Sequence, residues 1–362
     1  MRIVHVVWSL NIGGQERFIL NLSRALAAMD HDVSVIAMTA GGALRPQFEG
    51  IEVVDVLLRG FAPAIMPRLA LRLSGMKPDV VHTHNMAPLM YGAVAARAAR
   101  ARRVVHTKHG ATPDFSPRAR FLARAAVYAV DAFAAVSDGT ADVARELERV
   151  PERKLHVVPN GVPLDQFGAD PEARRRVRAE LGIPDDAVVV GTVGRLVEEK
   201  DHPFLVRAIA PHLSSRTRLV IVGDGKARGA IDDTIARHVA ADRRSFIHLT
   251  GARSDVPALL ASFDVFALSS RTEGLPLVVP EAMASRLPVI ATRVGGLPGI
   301  VPPTVGRLVD HGDDRGLRDA IAELIGSPET RRTLGEAAYA YAHGRFSLAR
   351  MTEDYLRLYA GD

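Results

Sequence analysis

Short apolar runs alternate with amphipathic stretches along most of the chain, and this alternation restricts its fold more than any other feature. In the first half of the chain the apolar runs are Ile3–Trp8, Val33–Met38, Val53–Leu58, Val80–His82, Val104–Thr107, Phe133–Val136 and Leu155–Val158. Helical periodicity separates most of them, as in Gln15–Met29 and Ala87–Ala99. Strands that alternate with helices are typical of βαβ units, in which helices cover both faces of a parallel sheet.

The pattern breaks at Pro163–Pro184, a polar segment without an apolar run, which indicates a linker with a short helix. A second series then follows, with the runs Val188–Val193, Leu219–Val222, Phe246–Leu249, Val265–Leu268, Val289–Ala291 and Arg307–Val309. The sequence therefore predicts an α/β protein of two Rossmann-like, doubly wound parallel-sheet domains. Ligands of such sheets bind outside the carboxyl ends of the strands, so we expect the site in a cleft across which the two domains face each other.

Composition and missing motifs exclude several classes of site. Cysteine is absent, which excludes disulfides, thiolate zinc sites, iron–sulfur clusters and a cysteine nucleophile. No H-E-x-x-H motif occurs, and the D-x-D string Asp30–Asp32 precedes a strand, so we expect no metal site. The apolar stretch Phe121–Val136 is interrupted by Arg124 and Asp131 and is not expected to span a bilayer. These features predict a cytoplasmic protein.

Basic residues concentrate in one segment of a chain whose formal net charge is +5. They are Arg97, Arg100, Arg102, Arg103, Lys108, Arg118, Arg120 and Arg124, opposed only by Asp114. Such a patch attracts acidic lipid headgroups or a phosphorylated acceptor, unless it is a solvated helix face. Together with the apolar run Phe61–Met76, it suggests peripheral contact with the inner face of an anionic membrane. Nucleic acid is not expected as a partner, because no stacking aromatic residues interleave with the basic ones.

The loop after the first predicted strand contains adjacent glycines, Gly13 and Gly14. Glycines at this position let the backbone approach an anion at a helix N-terminus. A tight turn is the plainer interpretation of the same pair.

Two cations, Arg195 and Lys200, follow the first strand of the second series. Both can face one diphosphate, the guanidinium as a fork and the ammonium as a point charge. The neighbouring Glu198 and Glu199 offer the alternative of a surface salt-bridge cluster.

The densest group of polar residues is Ser270–Leu277, continuing to Glu281. Pro276 suits the first turn of a helix, where its missing N–H is not needed. The amides near Leu275 and Leu277 would then point at an anion or a sugar hydroxyl, with Glu273 at the mouth of the helix and Glu281 about a turn and a half inside. Two surface glutamates on an amphipathic helix are the alternative.

Histidines cluster at the ends of two strands of the first series, at His82, His84, His106 and His109. We interpret them as neutral donors to ligand hydroxyls rather than as metal ligands.

Taken together and in this order, these residues resemble the family 4 glycosyltransferases, which have the GT-B fold. The resemblance runs nearly end to end and rests on Gly13-Gly14, Asp79–His82, Thr107–Gly110, Val158–Val162, Val193–Lys200, Val222–Gly225, Ser269–Glu281 and Pro288–Gly296. It implies a retaining hexosyltransferase that moves a sugar from a nucleoside diphosphate donor to a glycan, lipid-linked or small-molecule acceptor, without a metal or other cofactor. A UDP-sugar is the favoured donor and a GDP-sugar the second.

The resemblance also implies domain limits and residue roles. Residues 1–165, joined by a C-terminal helix at about 346–362, would form the acceptor-side domain, and residues 166–345 the donor domain. Glu273 and Glu281 match the family's E-x7-E pair, so Glu273 would contact the transferring sugar and Glu281 the ribose. His109 matches a histidine that reaches the sugar across the cleft. The implied donor-binding set is Gly13, Gly14, Arg195, Lys200, Gly274, Leu275, Pro276, Leu277 and Glu281, and the implied catalytic set is Glu273, His109, Arg195 and Lys200.

Three residues depart from the family pattern. Gly299 stands where the family's G-G-x-x-E has its glutamate, and the change is expected to alter hydrogen bonding beside the donor. Arg286 replaces a glycine and is expected to add positive charge near the donor, and Asp201 replaces the glycine after Lys200. Two alternatives stay open: another GT-B sugar-nucleotide enzyme such as an epimerase, and a non-catalytic sugar-nucleotide-binding relative, which Gly299 favours.

Overall fold

The computed structural model describes residues 1–56, 65–110 and 116–361. The chain divides into two compact units: unit 1 is Met1–Val162 with Ser347–Asp362, and unit 2 is Pro163–Phe346. The end of the run Val53–Leu58, the start of the run Phe61–Met76 and Asp114 lie outside the described residues. In the described part of the chain, no helix has both the length and the apolar character needed to cross a membrane.

Unit 1 is built on a parallel sheet whose described strands follow the order β3-β2-β1-β4-β5-β6-β7. The strands are β1 (Arg2–Val7), β2 (Asp32–Ala37), β3 (Glu52–Asp55), β4 (Val80–His84), β5 (Arg103–Lys108), β6 (Ala132–Ala135) and β7 (Leu155–Val157). The central strands are buried on both faces, which is why they read as continuous apolar runs in the sequence.

Helices cover both faces of this sheet. They are α1 (Gly14–Ala27), α2 (Ile65–Met76), α3 (Met86–Pro88), α4 (Val94–Ala98), α5 (Pro117–Val127) and α6 (Asp138–Val143), with π-helical turns at Leu89–Ala93 and Ala144–Glu148 and 3₁₀ turns at Arg45–Gln47 and Glu152–Lys154. Helix α1 shows why the helices pack on the sheet. Its apolar residues lie on one side and are buried in the core, among them Phe18, Ile19, Leu22 and Leu26.

Unit 2 repeats the plan with a parallel sheet in the order β10-β9-β8-β11-β12-β13 for its described strands. They are β8 (Val188–Val193), β9 (Thr217–Val222), β10 (Ile247–Gly251), β11 (Val265–Leu268), β12 (Val289–Thr292) and β13 (Gly306–Val309). Its helices are α7 (Pro171–Glu180), α8 (His202–Ile209), α9 (Arg228–His238), α10 (Val256–Ser262), α11 (Val278–Ala284), α12 (Leu297–Ile300), α13 (Asp314–Gly326) and α14 (Pro328–Arg345), with 3₁₀ turns at Leu164–Gln166, Glu198–Lys200, Ala210–His212 and Ala241–Phe246. Every apolar run of the two series overlaps a strand, so the prediction of two doubly wound α/β sheets is confirmed. The described part of the run Phe61–Met76 forms helix α2 instead.

The short helix predicted within Pro163–Pro184 is confirmed as α7, but the segment is not a linker, because it belongs to unit 2. Arg178 is buried and forms an ion pair with Asp264 at 2.7 Å, and Arg174 binds the other oxygen of the same carboxylate at 2.7 Å. The polar composition that suggested a linker therefore serves a buried ion-pair cluster, which local sequence patterns do not reveal.

The last helix, α15 (Leu348–Ala360), packs in unit 1 although unit 2 precedes it in the chain. The hydroxyl groups of its buried tyrosines belong to a hydrogen-bond network with two strand residues of unit 1, His82 and Thr107. The Tyr359 hydroxyl lies 2.7 Å from His82 Nδ1, His82 Nε2 lies 2.7 Å from the Thr107 hydroxyl, and that hydroxyl lies 2.9 Å from the Tyr355 hydroxyl. Since all four groups are buried, each hydrogen bond satisfies atoms that have no access to water.

Candidate functional site

Two loops of unit 2 meet at the carboxyl edge of its sheet, where the strand order reverses between β8 and β11. One loop follows β8 and ends in the turn Glu198–Lys200, and the other, Ser269–Leu277, follows β11. The Arg271 N–H donates to the Glu199 carbonyl at 2.7 Å and joins the two loops. They form one continuous surface at the position where open α/β sheets bind ligands.

An ion pair between Lys200 and Glu273 lies at the centre of this surface. Lys200 Nζ is 2.5 Å from Glu273 Oε1, and the Ser270 hydroxyl donates to the same oxygen at 2.5 Å. The side chains are only 18% and 9% exposed, respectively. Among the described residues no group donates to Glu273 Oε2, so that oxygen can accept a hydrogen bond from a ligand hydroxyl.

The second predicted cation, Arg195, is exposed on the loop after β8. Within the described part of the chain its guanidinium forms no hydrogen bond or ion pair. Glu198 pairs instead with Arg271 at 3.1 Å, and Lys200 pairs with Glu273, so the alternative of a local salt-bridge cluster around Arg195 and Lys200 is wrong. A guanidinium in this state can bind an anion without first breaking a protein contact.

Glycines in neighbouring loops leave room for the backbone of these two loops, which a side chain would overlap. Gly223, after β9, has φ +143, and a Cβ there would lie 1.8 Å from the Gly194 carbonyl oxygen. Gly295, after β12, has φ +54, and a Cβ there would lie 1.7 Å from the Glu273 carbonyl oxygen. Only glycine fits either position. The position of Gly223 directly after a strand is the sequence signal for this structural role.

Helix α11 begins at Val278, two residues after Pro276. The expectation that Pro276 occupies the first helical turn is therefore wrong, and Pro280 lies in that turn instead. Glu281 also falls in the first turn rather than a turn and a half inside. Gly274, Leu275 and Leu277 form the connection between Glu273 and the helix.

Asp201, one of the departures from the family pattern, adopts a left-handed conformation with φ +40. This conformation explains a preference for glycine, because a side chain there costs about 1 kcal/mol. The carboxylate caps α8 through the Phe204 N–H and accepts from Arg271 at 3.1 Å and His311 at 2.9 Å. Burial opposes its ionisation, but the hydrogen bonds from His311 and Arg271 outweigh burial and hold the pKa of Asp201 below its usual value.

Arg286 also occupies a left-handed position, with φ +58. Its guanidinium pairs with Glu336 and lies 4.0 Å from the centre of the Tyr339 ring, both on α14. The expectation that it adds charge beside the donor is therefore wrong, because its charge is paired on that helix. Gly299 lies in α12, and its carbonyl accepts from the Tyr341 hydroxyl at 3.2 Å.

In unit 1, Gly13 caps α1 and Gly14 is its first residue. A Cβ on Gly13 would lie 2.4 Å from Glu16 Oε2, whereas nothing lies within 4 Å of a Cβ on Gly14. Gly14 therefore leaves open space at the start of the helix.

His109 ends a chain of three imidazoles that runs into the core of unit 1. Its Nε2 lies 3.0 Å from His84 Nδ1, and His84 Nε2 lies 3.0 Å from His5 Nδ1. Burial alone lowers the pKa of His5 and of His109 to about 3, and it is the largest cause that lowers the pKa of His84. All three rings are therefore neutral at physiological pH, and each carries one ring hydrogen.

The inner end of this chain fixes its direction. His5 Nε2 is buried and has no hydrogen-bond partner. A buried N–H without an acceptor costs more than a bare lone pair, so His5 carries its hydrogen on Nδ1 and donates to His84. His84 must then donate from Nδ1 to His109 Nε2, which leaves the hydrogen of His109 on Nδ1. His109 is partly exposed, so the chain makes it a hydrogen-bond donor at that atom.

One nitrogen from each of His5, His82 and His84 lies within 4.8 Å of the others, a spacing that can hold a metal ion. The nitrogens of His82 and His84 are instead engaged with Tyr359, Thr107 and neighbouring imidazoles. His106 lies on the other face of the sheet, where its Nδ1 is 2.9 Å from the Thr83 hydroxyl.

Comparison with known protein families identifies both halves of the chain. Residues 12–166 match the family model described as Glycosyltransferase Family 4, and residues 187–327 match that of Glycosyl transferases group 1. A D-inositol 3-phosphate glycosyltransferase of Xylanimonas cellulosilytica is 30% identical over 96% of this chain and 91% of its own length. A GDP-mannose-dependent alpha-(1-6)-phosphatidylinositol monomannoside mannosyltransferase of Mycolicibacterium smegmatis is 33% identical over 77% of this chain and 76% of its own length.

Solved structures show the same fold. The Anabaena protein HepE, crystallised with UDP, superposes with a TM-score of 0.87 at 23% identity and covers 100% of both chains. A glycosyltransferase from Rickettsia africae also gives a TM-score of 0.87, at 21% identity over 99% of this chain and 97% of its own. These neighbours confirm the predicted GT-B fold.

The buried histidines should make unit 1 sensitive to mild acid. Burial lowers the pKa of His5, His82, His84, His106 and His109 in the folded chain. The unfolded chain therefore binds more protons than the folded chain below about pH 6.5, and stability falls as pH decreases from there toward 3. Each of these histidines should lower the free energy of unfolding by roughly 1 kcal/mol when the pH decreases from about 7.5 to about 5.5.

Urea unfolding followed by the fluorescence of Trp8, the single tryptophan, reports this loss in unit 1. His106→Leu should reduce the pH dependence, whereas replacement of the exposed His238 by leucine should leave it unchanged. Equal unfolding free energies of the unsubstituted protein at pH 7.5 and 5.5 would contradict the argument.

The direction of the imidazole chain predicts the tautomer of His109. Two-bond ¹H–¹⁵N correlation spectra of histidine-labelled protein should show its hydrogen on Nδ1 and an unprotonated Nε2. The His109→Asn spectrum assigns the signal, and His238 provides an exposed histidine for comparison. A His109 signal with the hydrogen on Nε2 would reverse the direction of the chain.

Proposed function

The chain belongs to glycosyltransferase family 4 as a hexosyltransferase of the GT-B fold, and from this premise we propose that it transfers a hexose from a nucleoside diphosphate donor with retention and without a metal ion. The observation that carries the proposal is the Lys200–Glu273 pair beside the unpaired Arg195, at the switch point of the sheet of unit 2.

The two cations suit the charge that develops during transfer. As the bond to the sugar breaks, negative charge grows on the departing diphosphate, and its stabilisation is commonly the largest catalytic contribution. Arg195 can bind two phosphate oxygens in a fork, and Lys200 can add a point charge. In this proposal the two side chains supply the positive charge that a metal ion provides in other transferases.

Glu273 is assigned to the transferring sugar. Its Oε1 is held by Lys200 and Ser270, which orients the carboxylate, and Oε2 can accept from a sugar hydroxyl. Glu281, in the first turn of α11, is assigned to the ribose from the family pattern.

Glycosidases use two carboxylates that flank the bond, whereas here Lys200 already engages Glu273, so we assign no covalent nucleophile. The departing phosphate shelters the positive charge that develops at the sugar carbon.

Two residues of unit 1 complete the assignment from the family pattern. His109 is assigned to a hydroxyl of the transferring sugar, to which its Nδ1–H would donate. Gly14 is assigned to the diphosphate, and the open space around it leaves room for phosphate oxygens.

We favour a UDP-sugar as donor and place a GDP-sugar second. HepE structures contain UDP and UDP-glucose, and the mannosyltransferase of M. smegmatis is described as dependent on GDP-mannose. The acceptor class is a glycan, a lipid-linked saccharide or a small molecule. The names of the relatives support the last two, since they specify phosphatidylinositol monomannoside and inositol phosphate.

We further propose that the protein is cytoplasmic and contacts the inner face of an anionic membrane through unit 1. On α5 and just beyond it, Phe121 is 70% exposed and Tyr128 is 84% exposed, and Leu71 on α2 is 76% exposed. Arg100 and Arg102 are exposed in the same unit. Part of the basic segment serves other contacts, since Arg97 pairs with Asp131 and Arg103 donates to the Leu358 carbonyl.

Nucleotide binding tests the donor site. Lys200→Ala should weaken UDP binding at least tenfold in calorimetry, because a charge-assisted hydrogen bond contributes about 1.5–3 kcal/mol. Glu273→Gln should bind UDP equally well or more tightly, since it removes a negative charge, but it should lose affinity for the UDP-sugar. Transfer should fall at least 100-fold in both variants.

The matched control is Glu323→Gln, which breaks a 2.6 Å ion pair with Arg307 elsewhere in unit 2. It should leave binding and transfer unchanged. If Lys200→Ala bound UDP and GDP with wild-type affinity, the assignment of the donor site would be contradicted. Isomerisation of the donor sugar in the absence of any acceptor would indicate an epimerase.

Vesicle co-sedimentation tests the membrane surface. At low salt, vesicles of phosphatidylglycerol and phosphatidylcholine should bind the protein, and 0.5 M salt should release it, because surface charges are screened. Joint Phe121→Ser and Tyr128→Ser replacement should weaken binding severalfold, whereas replacement of the exposed Val157 by threonine should not. Equal sedimentation with neutral and anionic vesicles would argue against the proposal.

A further inference from the structure

Unit 2 has a second concave surface, a pocket of about 530 Å³ among helices α8, α9 and α13. The turns Ala210–His212 and Ala241–Phe246 contribute to its lining and lead into β9 and β10, so the pocket lies near the amino edge of the sheet. Lys200 and Glu273 lie at the carboxyl edge, and the pocket shares no residue with their surface. It is therefore separate from the site assigned to the donor.

Positive charge dominates the lining of this pocket. Arg207 of α8, Arg243 of the turn before β10 and Arg318 of α13 contribute three guanidinium groups. Asp314 contributes one carboxylate, so the formal charge of the lining is +2 without any contribution from His238. A concave surface with this balance of charge attracts an anion.

Two of the arginines are oriented by contacts that leave most of the guanidinium available. Arg207 Nε donates to Asp314 at 3.2 Å, and Arg243 Nη1 donates to the Pro211 carbonyl at 3.0 Å. Within the described part of the chain, the other N–H groups of these two side chains and the whole guanidinium of Arg318 form no hydrogen bond or ion pair. A side chain that is already oriented loses less conformational entropy when it binds a ligand.

Nearby arginines outside the pocket are engaged within their own helices. Arg228 pairs with Asp232 at 3.0 Å on α9, and Arg315 pairs with Asp319 at 3.5 Å on α13. The pocket differs because its three guanidinium groups come from three separate elements and line one surface. Phosphate suits such a surface, since a guanidinium can bind two phosphate oxygens as a fork.

Size and surroundings favour a soluble ligand over a lipid headgroup. The volume lies within the range of small-molecule pockets, about 300–1,000 Å³, and Ala210, Pro211 and Ala240 add a small apolar wall for an organic group. A membrane contact combines basic residues with exposed apolar side chains that enter the lipid. Among the described residues, the exposed large apolar side chains all belong to unit 1.

We propose that this pocket binds a soluble phosphate monoester, with Arg207, Arg243 and Arg318 donating to the phosphate oxygens. At pH 7 such a group carries a charge of about −1.5 to −2, which is complementary to the charge of the lining. The proposal does not depend on the donor site or on glycosyl transfer, because none of its residues belongs to that site.

Ligand-observed ¹H NMR titrations with glycerol 3-phosphate test the proposal, in the presence of saturating UDP to occupy the donor site. Glycerol 3-phosphate should bind, and glycerol, which lacks the phosphate, should not. Joint Arg243→Gln and Arg318→Gln replacement should weaken binding about tenfold or more, because it removes two charge-assisted contacts.

The matched control is the joint replacement of Arg237 and Arg315 by glutamine. It removes the same charge from exposed positions of α9 and α13 outside the pocket, so the affinity for glycerol 3-phosphate should stay within about twofold of the unsubstituted protein. Asp314→Asn should tighten binding severalfold, since it removes the negative charge from the lining. A purely structural role of Asp314 would instead weaken binding.

Three results would overturn the proposal: no binding of glycerol 3-phosphate at about 20 mM, equal losses of affinity in the pocket variant and the control, or full affinity in a folded pocket variant. Circular dichroism and thermal unfolding establish that each variant is folded. Co-sedimentation with phosphatidylglycerol vesicles distinguishes the source of the phosphate. If the pocket variant alone lost vesicle binding, the ligand would be a lipid headgroup and the proposal of a soluble ligand would be wrong.

Discussion

Reversal of the strand order between β8 and β11 is the constraint on which the candidate site of unit 2 depends. At β8 and β11 the connecting chain leaves two neighbouring strands toward opposite faces, so no helix covers the gap between their carboxyl ends. Backbone groups and short polar side chains therefore collect there. In unit 2 this edge holds the Lys200–Glu273 pair, and in unit 1 a buried ion pair joins Lys108, the last residue of β5, to Glu148.

Each of these ion pairs sits largely out of water, where the desolvation of two charges offsets much of their attraction. We interpret the role of each ion pair as the orientation of its carboxylate. Lys200 and Ser270 fix one oxygen of Glu273, and Lys108 fixes one oxygen of Glu148. In both cases the second oxygen receives no hydrogen bond from the described part of the chain, so the two units hold carboxylates in comparable states.

The sheets could be predicted from sequence because strands buried on both faces have a continuous apolar signature, and runs such as Val188–Val193 need no long-range information. The loops that carry Arg195 and Glu273 could be placed for the same reason, since each directly follows such a run. The partner of Lys200 could not, because Glu273 lies 73 positions away and equally plausible carboxylates stand beside the lysine. The role of α7 could not be predicted, because Arg178 pairs with Asp264, far along the chain. The His5–His84–His109 chain could not be predicted either, because it runs from the interior of β1 to the ends of β4 and β5, which only the sheet brings together.

Helix α15 gives the molecule an order of assembly. Unit 2 interrupts unit 1, and the chain passes out of unit 1 after Val162 and returns at Ser347, where these two residues form a β-bridge. During synthesis, the sheet of unit 1 emerges first, yet His82 and Thr107 receive their tyrosine partners only after all of unit 2 has been translated. Unit 2 can therefore complete its core on the ribosome while unit 1 still exposes the face that α15 will cover. The domain that is made first is the one that matures last.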